Sequence, residues 1–290
     1  MNGTSREILL TRLSPPRYAR ITINVSTKRR NSKIAGMFAS TLVYLGLIGT
    51  FAGFVSLIMP LKFLRLRTRR QASSLFGLGL SLLAIGFAFP VAETRALEKR
   101  TLLDEFTPVY QFNEVHSIRV KGPKDRIDRA IRSVTADDIF LFRTLTWIRR
   151  FGHSGGEGIL NPPEHQPLLD AAFRTGFVLL ADQPGREIVI GNVVVVPPGF
   201  RPKAGQSLPT PEQFRSIHQP GFAMATMNFL IQDTSDGYCS VRTETRVYAT
   251  DSSARRRFTL YWRMIYPGSA LIRLMWLRAI KNQAEQHSEQ

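Results

Sequence analysis

Hydrophobic positions along this chain follow three different rhythms. From Ile34 to Leu61 ("IAGMFASTLVYLGLIGTFAGFVSLIMPL") they run on without a charge, for longer than the roughly 20 residues that a membrane-crossing helix needs. A second run, Ser74 to Ala92 ("SLFGLGLSLLAIGFAFPVA"), is about the minimum length, and its glycines and Pro90 are commoner in lipid than in water-exposed helices. Both read as spans, at about 34–60 and 74–92. A buried core helix is the competing reading for either run, and a cleaved signal peptide for the first. The latter fails because the apolar stretch is too long and ends in "MPLKFLRLRTRR" instead of a small-residue cleavage site. "GTFAG", Gly49 to Gly53, fits the small-xxx-small packing pattern, and Gly77 with Ser81 repeats it, which predicts a helical hairpin and helix–helix association in the membrane.

Beyond a charged connector, 93–107, the rhythm changes. "PVYQFNEVHSIRV" (108–120) alternates like a strand and stops at Gly122-Pro123. "PKDRIDRAIRSV" then puts Ile127, Ala130, Ile131 and Val134 on one helical face, and a second helix follows "TADD". From Gly176 the period is two again: "GFVLLAD" and "REIVIGNVVVV" flank Pro184-Gly185 as a hairpin. "FAMATMNFLIQD" and "YCSVRTETRVYAT" flank "TSDG" as another. A long loop with one short helix near Pro211 to Ile217 separates the two hairpins. The third rhythm is helical: Phe258, Tyr261, Trp262 and Ile265 stand at i, i+3, i+4 and i+7 behind an Asp251 or Ser252 cap. Pro267-Gly268-Ser269 is expected to interrupt this helix before the stripe resumes with Ile272, Met275, Trp276 and Ile280.

The order of strand, two helices, antiparallel strands and a long amphipathic C-terminal helix makes the class α+β. The organisation that follows is a basic, disordered tail over 1–33, two transmembrane helices within 34–92, the connector 93–107 and a soluble domain over 108–286.

Charge refines this picture. The net charge is +17, but thirteen Lys or Arg and one Glu precede Ser74, giving +12, whereas twenty-six basic and twenty-one acidic residues follow, giving +5. The excess lies beside the spans, where anionic lipid and orientation rules account for it, so nucleic acid is not an expected partner and membrane lipid is. Eleven basic residues in the tail and after the second span outweigh five in the loop. That places both termini and the soluble domain on the cytoplasmic side of the inner membrane. Initiation at Met37 would remove the tail and reverse the orientation. Cys239 is the only cysteine, so no intrachain disulfide forms and the redox compartment stays open.

Candidate chemistry is sparse. "GHSGG" (152–156) spells a nucleophile elbow in letters, but that motif needs a strand before Ser154 and a helix after it, the reverse of the pattern here. His153, Glu157, Glu164 and His165 share a loop without any recognised metal-ligand spacing. His116 and His218 stand alone. "RTETR" puts Arg242, Glu244 and Arg246 on one strand face, and Glu187 on the neighbouring hairpin could join them. Such a set suits either a cross-strand ion network or a ligand-orienting site. In "ARRRF" the arginines diverge around the helix and read as solvated or lipid-facing. Arg273 is placed to dock on a carbonyl end or on Glu244, and the tryptophans with Phe258 read first as core.

The strings "EVHSIRV", "REIVIGNV" and "TETRVYATDSSARRRFTLYWRMIYPGSALIR", in this element order, resemble a bacterial branch of the START-like or polyketide cyclase superfamily over roughly Pro108 to Ala284. The resemblance implies a helix-grip fold, a curved antiparallel sheet around the last helix with an apolar cavity between them. The segment "GHSGGEGILNPPEHQPLLD" is longer than the connection usual there. It further implies binding of a small hydrophobic or amphipathic ligand, lipid included, with Glu187, Glu244, Arg246, Trp262 and Arg273 as ligand contacts and no catalysis, metal or cofactor. Two alternatives stand beside it: a cyclase-like enzyme using Glu244 and Arg246, and a membrane scaffold without a ligand.

Overall fold

The computed structural model describes residues 17–59, 68–150, 152–153, 158–201, 208–234 and 236–286, with side chains from residue 36 onward. Two apolar helices come first, α1 (Arg17–Ile58) and α2 (Arg69–Ala88). They are long and apolar enough to cross a membrane, and most of their apolar surface is exposed: Phe51 is 71% accessible and Ile58 67%. The expected disordered tail is instead helical from Arg17, while residues 1–16 lie outside the described residues. No Pro or Gly occurs between Arg17 and Lys33, so elongating an existing helix through them meets no breaker, and Pro15-Pro16 stands just ahead. The second helix likewise starts before the apolar run. Thr68 accepts from the Gln71 N–H at 3.2 Å while Gln71 Oε1 accepts from the Thr68 N–H at 3.3 Å, a reciprocal cap.

Small residues set how closely the two helices approach. A Cβ on Gly53 would sit 2.5 Å from the Phe76 backbone nitrogen, and one on Gly79 2.3 Å from that of Thr50. Gly49 lies on the same seam, its Cβ position 3.4 Å from Gly79. Gly77, by contrast, has nothing within 4 Å of its Cβ position, and Ser81 donates to its carbonyl along the same helix. The expected Gly77–Ser81 seam is therefore replaced by one through Gly79 and Gly86.

A two-stranded ribbon pairs β1 (Thr94–Arg95) with β2 (Val109–Tyr110), and the short helix α3 (Leu103–Phe106) lies between them in sequence. Next come β3 (Phe112–Lys121) and three helices, α4 (Lys124–Ser133), α5 (Phe142–Arg149) and α6 (Leu168–Arg174). The strands β4 (Val178–Gln183) and β5 (Glu187–Val195), the helix α7 (Pro211–Arg215) and the strands β6 (Ala223–Asp233) and β7 (Tyr238–Ala249) follow. The chain ends in α8 (Ser252–Gln286). All five longer strands form one antiparallel sheet in the order β3-β7-β6-β5-β4. Gly185, at φ +69°, makes the tight turn between β4 and β5 that a Cβ would strain.

Register assigns every side chain to one of two faces. Ile190, Met227, Thr245 and Glu114 form one rung, and Glu187, Leu230 and Arg242 form part of another. Because the period is two, the first rung faces α8 and the second faces the opposite, rear side. On the helix face Ile188, Ile190, Met227, Phe229, Ile231 and Val241 pack with Ile127 and Ile131 of α4 and with Ile272, Trp276, Leu277 and Ile280 of α8. Trp276 meets Phe229 edge-on at 5.1 Å. On the rear, Val189, Met224, Val178, Leu180 and Phe214 pack with Leu103 of α3.

The expected interruption of the last helix does not occur: α8 runs continuously through Pro267. Proline inside a helix costs about 3 kcal/mol. Buried residues on both sides of it, Phe258 and Thr259 before and Ser269, Ile272 and Trp276 after, are held against one surface, and that burial offsets the cost. The helix also touches α1 and α2. The buried Arg263 guanidinium donates to the carbonyls of Gly86 and Phe89, at the C-terminal end of α2, where helix carbonyls lack intrahelical partners and favour a cation. The Tyr44 hydroxyl donates to the Met264 carbonyl.

The glycine seam separates two otherwise similar substitutions. Gly79→Leu forces backbone apart and lowers the stability of the detergent-solubilised protein by about 1–3 kcal/mol or more, whereas Gly77→Leu, in open space, leaves the melting temperature within a degree or two of the parent.

Candidate functional site

Between α8 and the sheet lies a cavity of about 360 Å³. Its walls are Val193, Val195, Ala225, Met227 and Val247 from the sheet, Phe258, Trp262, Ile265, Ile272 and Trp276 from α8, and Phe142, Ile159 and Phe177 from the intervening helices and loops. The apolar positions follow from alternation in β5, β6 and β7 and from the i, i+3, i+4 stripe of α8. Phe112, Phe258 and Trp262 pack ring against ring beside it, with centroids 4.8 to 5.9 Å apart.

The polar part of the lining is small. Among the described residues, Arg149 and Arg273 are the only charged ones on it, and no acidic residue lines it. Arg149 bonds to the Tyr261 hydroxyl and stacks over its ring at 5.4 Å. Arg273 sits deeper. Its Nη1 points at the Met227 sulfur, and its Nε lies 4.0 Å from Glu114, too far for a hydrogen bond. Its side chain keeps 17% of its accessible surface and lines the cavity. Burial pulls its pKa below the ordinary arginine value. Two further donors on the lining, Thr245 Oγ1 and Trp276 Nε1, are buried without a partner.

Behind this end stands a group the sequence reading missed. Glu114, 2% exposed, accepts from Ser269 Oγ at 3.1 Å and meets His116 Nε2 at 2.9 Å. The signal was in the alternation. Phe112, Ile118 and Val120 occupy the same face of β3 as Glu114 and His116, so a carboxylate there has to be buried under α8. Arg273 accordingly neighbours Glu114 and not Glu244, which projects from the other side of the sheet.

Of the five expected ligand contacts, Trp262 and Arg273 line the cavity, and Glu187, Glu244 and Arg246 lie together on the rear face. All three are buried. Arg246 bonds to Glu244 at 2.8 Å and to Asp104 of α3 at 2.7 Å, donates to the Thr107 carbonyl at 3.1 Å and lies 4.7 Å above the Tyr110 ring. Arg242 and Asn113 also bond to Glu244. Asn228 bridges to Glu187, which receives the Leu102 and Leu103 N–H groups at the start of α3. This is a cross-strand ion network, and the connector carrying α3 covers it.

Elsewhere, Ser154 and Glu157 lie outside the described residues. His165 is 88% exposed beside Asp137, and among the described residues no group of three or more His, Cys, Asp or Glu is placed to hold a metal. Arg257 donates to the Val196 and Gly221 carbonyls, and Arg255 lies 3.8 Å from Glu93, so two of the three successive arginines have partners within the chain. A second hollow, of about 490 Å³, opens among Phe200, Phe214 and Phe222 beside α7, and among the described residues no charged one lines it.

Burial alone would raise the Glu244 and Asp104 carboxyls, but the adjacent Arg246 outweighs it and holds both below their ordinary values. Because the native pKa values lie under the unfolded ones, the network's stabilisation is complete above about pH 4.5 and is lost as the pH falls through the lowered values. Melting temperature therefore rises between about pH 3 and 5, and Glu244→Gln flattens that rise. Arg246→Met leaves buried Asp104 without its cation and Glu244 with only the half-exposed Arg242, and costs about 3–5 kcal/mol, read by thermal unfolding at pH 7. Compared with known proteins, the chain matches no family model and no curated protein.

Proposed function

We propose that the chain is a two-pass membrane protein whose α+β domain has a START-like helix-grip arrangement and binds a small hydrophobic or amphipathic molecule, lipid included, between α8 and the sheet. One observation carries the reading: a cavity of about 360 Å³ in that place, with walls mostly aliphatic or aromatic. Ligand sites typically begin near 300 Å³ and are mostly apolar with a few directed polar groups. A cavity this size left without a guest forfeits the dispersion contacts of everything that lines it.

The two N-terminal helices support the membrane part. Phe38, Leu45, Ile48, Phe51 and Phe54 of α1 and Leu78, Leu80 and Ile85 of α2 are exposed, an apolar surface that water-soluble proteins avoid and hydrocarbon accommodates. The distribution of basic residues favours the domain on the cytoplasmic side of the inner membrane. Arg263 and Tyr44 hold α8 against the helix pair, which keeps the cavity beside a reservoir of apolar molecules.

A catalytic reading through Glu244 and Arg246 draws no support from the cavity, since neither residue lines it. Both have their bonds within the rear network. The scaffold reading is separated from the ligand reading by whether the cavity holds anything.

Purified full chain, extracted with organic solvent and analysed by mass spectrometry, yields a stoichiometric apolar molecule. Ala225→Trp, which places an indole in the cavity, lowers the extracted amount at least about tenfold while the circular dichroism spectrum stays that of the parent. An extract containing only the lipids of the surrounding membrane in their bulk proportions, unchanged by Ala225→Trp, speaks for the scaffold instead.

A further inference from the structure

The cavity's charge is lopsided. Among the described residues, two arginines line it and no carboxylate does. One of them, Arg149, is at least bonded to Tyr261, whereas Arg273 has only a sulfur acceptor and an acid 4.0 Å away. A guanidinium carries five N–H donors, and leaving one buried without acceptors is among the costlier arrangements a protein can hold. Close to it, Thr245 Oγ1 and Trp276 Nε1 are orphaned as well, in residues 5% and 4% exposed. Thr245 and Met227 share a rung, and Met227 touches Arg273, so Thr245 and Arg273 lie at one end of the cavity, with Trp276 one turn beyond Arg273 on α8. The opposite wall, along Val193, Val195, Ala225, Val247 and Phe258, is apolar.

This end requires acceptors, and a negative charge answers it best. We infer that the guest is a single-chain amphiphile with a carboxylate head, its oxygens received by Arg273, Thr245 and Trp276 and its hydrocarbon chain lying along the valine-lined wall. The inference rests on the proposal that the cavity binds an apolar guest, and adds the chemistry of the head.

A carboxylate is favoured over a phosphate monoester by charge. Arg149 and Arg273, set against the Glu114 carboxylate 4.0 Å from Arg273, leave a formal charge of about +1 at the cavity, which one carboxylate neutralises, whereas a phosphate monoester near pH 7 carries about 1.5 to 2 negative charges, and the remainder would stay uncompensated in a low-dielectric space. The carboxylate's planar pair of oxygens also matches the fork of a guanidinium. An alcohol or an ester supplies acceptors without the charge. Burial pulls the pKa of Arg273 down, and a neighbouring anion acts in the opposite sense, as Glu114 does.

Three probes with the same sixteen-carbon chain test this on the delipidated full chain in detergent at pH 8: hexadecanoate, hexadecanol and hexadecyl phosphate. Titration calorimetry is expected to rank hexadecanoate first, at least about tenfold tighter than hexadecanol. Arg273→Met equalises those two by weakening hexadecanoate while hexadecanol holds its affinity. Thr245→Val, nearly isosteric, weakens hexadecanoate a few-fold and leaves hexadecanol unchanged, and it carries the test if Arg273→Met fails to fold. Equal binding of hexadecanoate and hexadecanol by the parent overturns the charged-head assignment while leaving an apolar guest in place. Hexadecyl phosphate binding tightest overturns the carboxylate. Failure of all three to bind overturns the guest itself, and the proposed function with it.

Discussion

The unbroken course of α8 across one face of the five-stranded sheet is the contact on which the remainder rests. Its apolar stripe closes the main core through Ile272, Trp276, Leu277 and Ile280. Its earlier turns bring Phe258, Trp262 and Ile265 over the part of the sheet that core side chains do not fill. Its opposite side supplies Arg263 to the carbonyl end of α2. One helix thus sets core, cavity and attachment together, which explains why a proline in its middle is tolerated: breaking the helix there would release surfaces on both sides.

The sheet works as a divider of polar chemistry as well as a wall. Residues one apart on β7 belong to different worlds. Thr243, Thr245 and Val247 look toward α8, while Arg242, Glu244 and Arg246 look to the rear. The rear set is an ion network with its partners in place, sealed by the connector through Asp104 and by Leu102 and Leu103 on Glu187. The helix-face set is short of acceptors. Buried ionic groups that are fully partnered hold structure in register, whereas a buried donor without a partner leaves its desolvation cost unrecovered.

How far the site was legible from the sequence differs from residue to residue. Trp262 belongs to a recognisable helical stripe, and Arg273, beside that stripe, is conspicuous as a charge expected to dock on a carbonyl end or on Glu244; both line the cavity. Glu187, Glu244 and Arg246 attracted notice because charge in a strand is conspicuous, and their mutual proximity follows from period two and hairpin pairing. Their location behind the sheet did not follow, because alternation says which residues share a face but not which face the last helix covers. Glu114 was overlooked although Phe112, Ile118 and Val120 shared its parity. A lone acid in an edge-like strand looks solvated until the helix that covers it is known.

By itself, the sequence determined the two apolar helices, the α+β order, the four hairpin strands and the stripe of the last helix, since each is written in local periodicity over a dozen or so residues. It also carried the charge imbalance toward the N-terminal part. Tertiary structure decided the rest. Which glycines touch depends on the rotation of α1 against α2, so Gly79 and Gly86 line the seam and Gly77 does not. Whether Pro267 breaks α8 depends on burial at both of its flanks. Which donors lack acceptors depends on side chains more than a hundred residues apart, Glu114 from Ser269 and Arg273, meeting where α8 packs on the sheet. Long-range packing energies of several kcal/mol override local preferences of about one, and no window of sequence contains them.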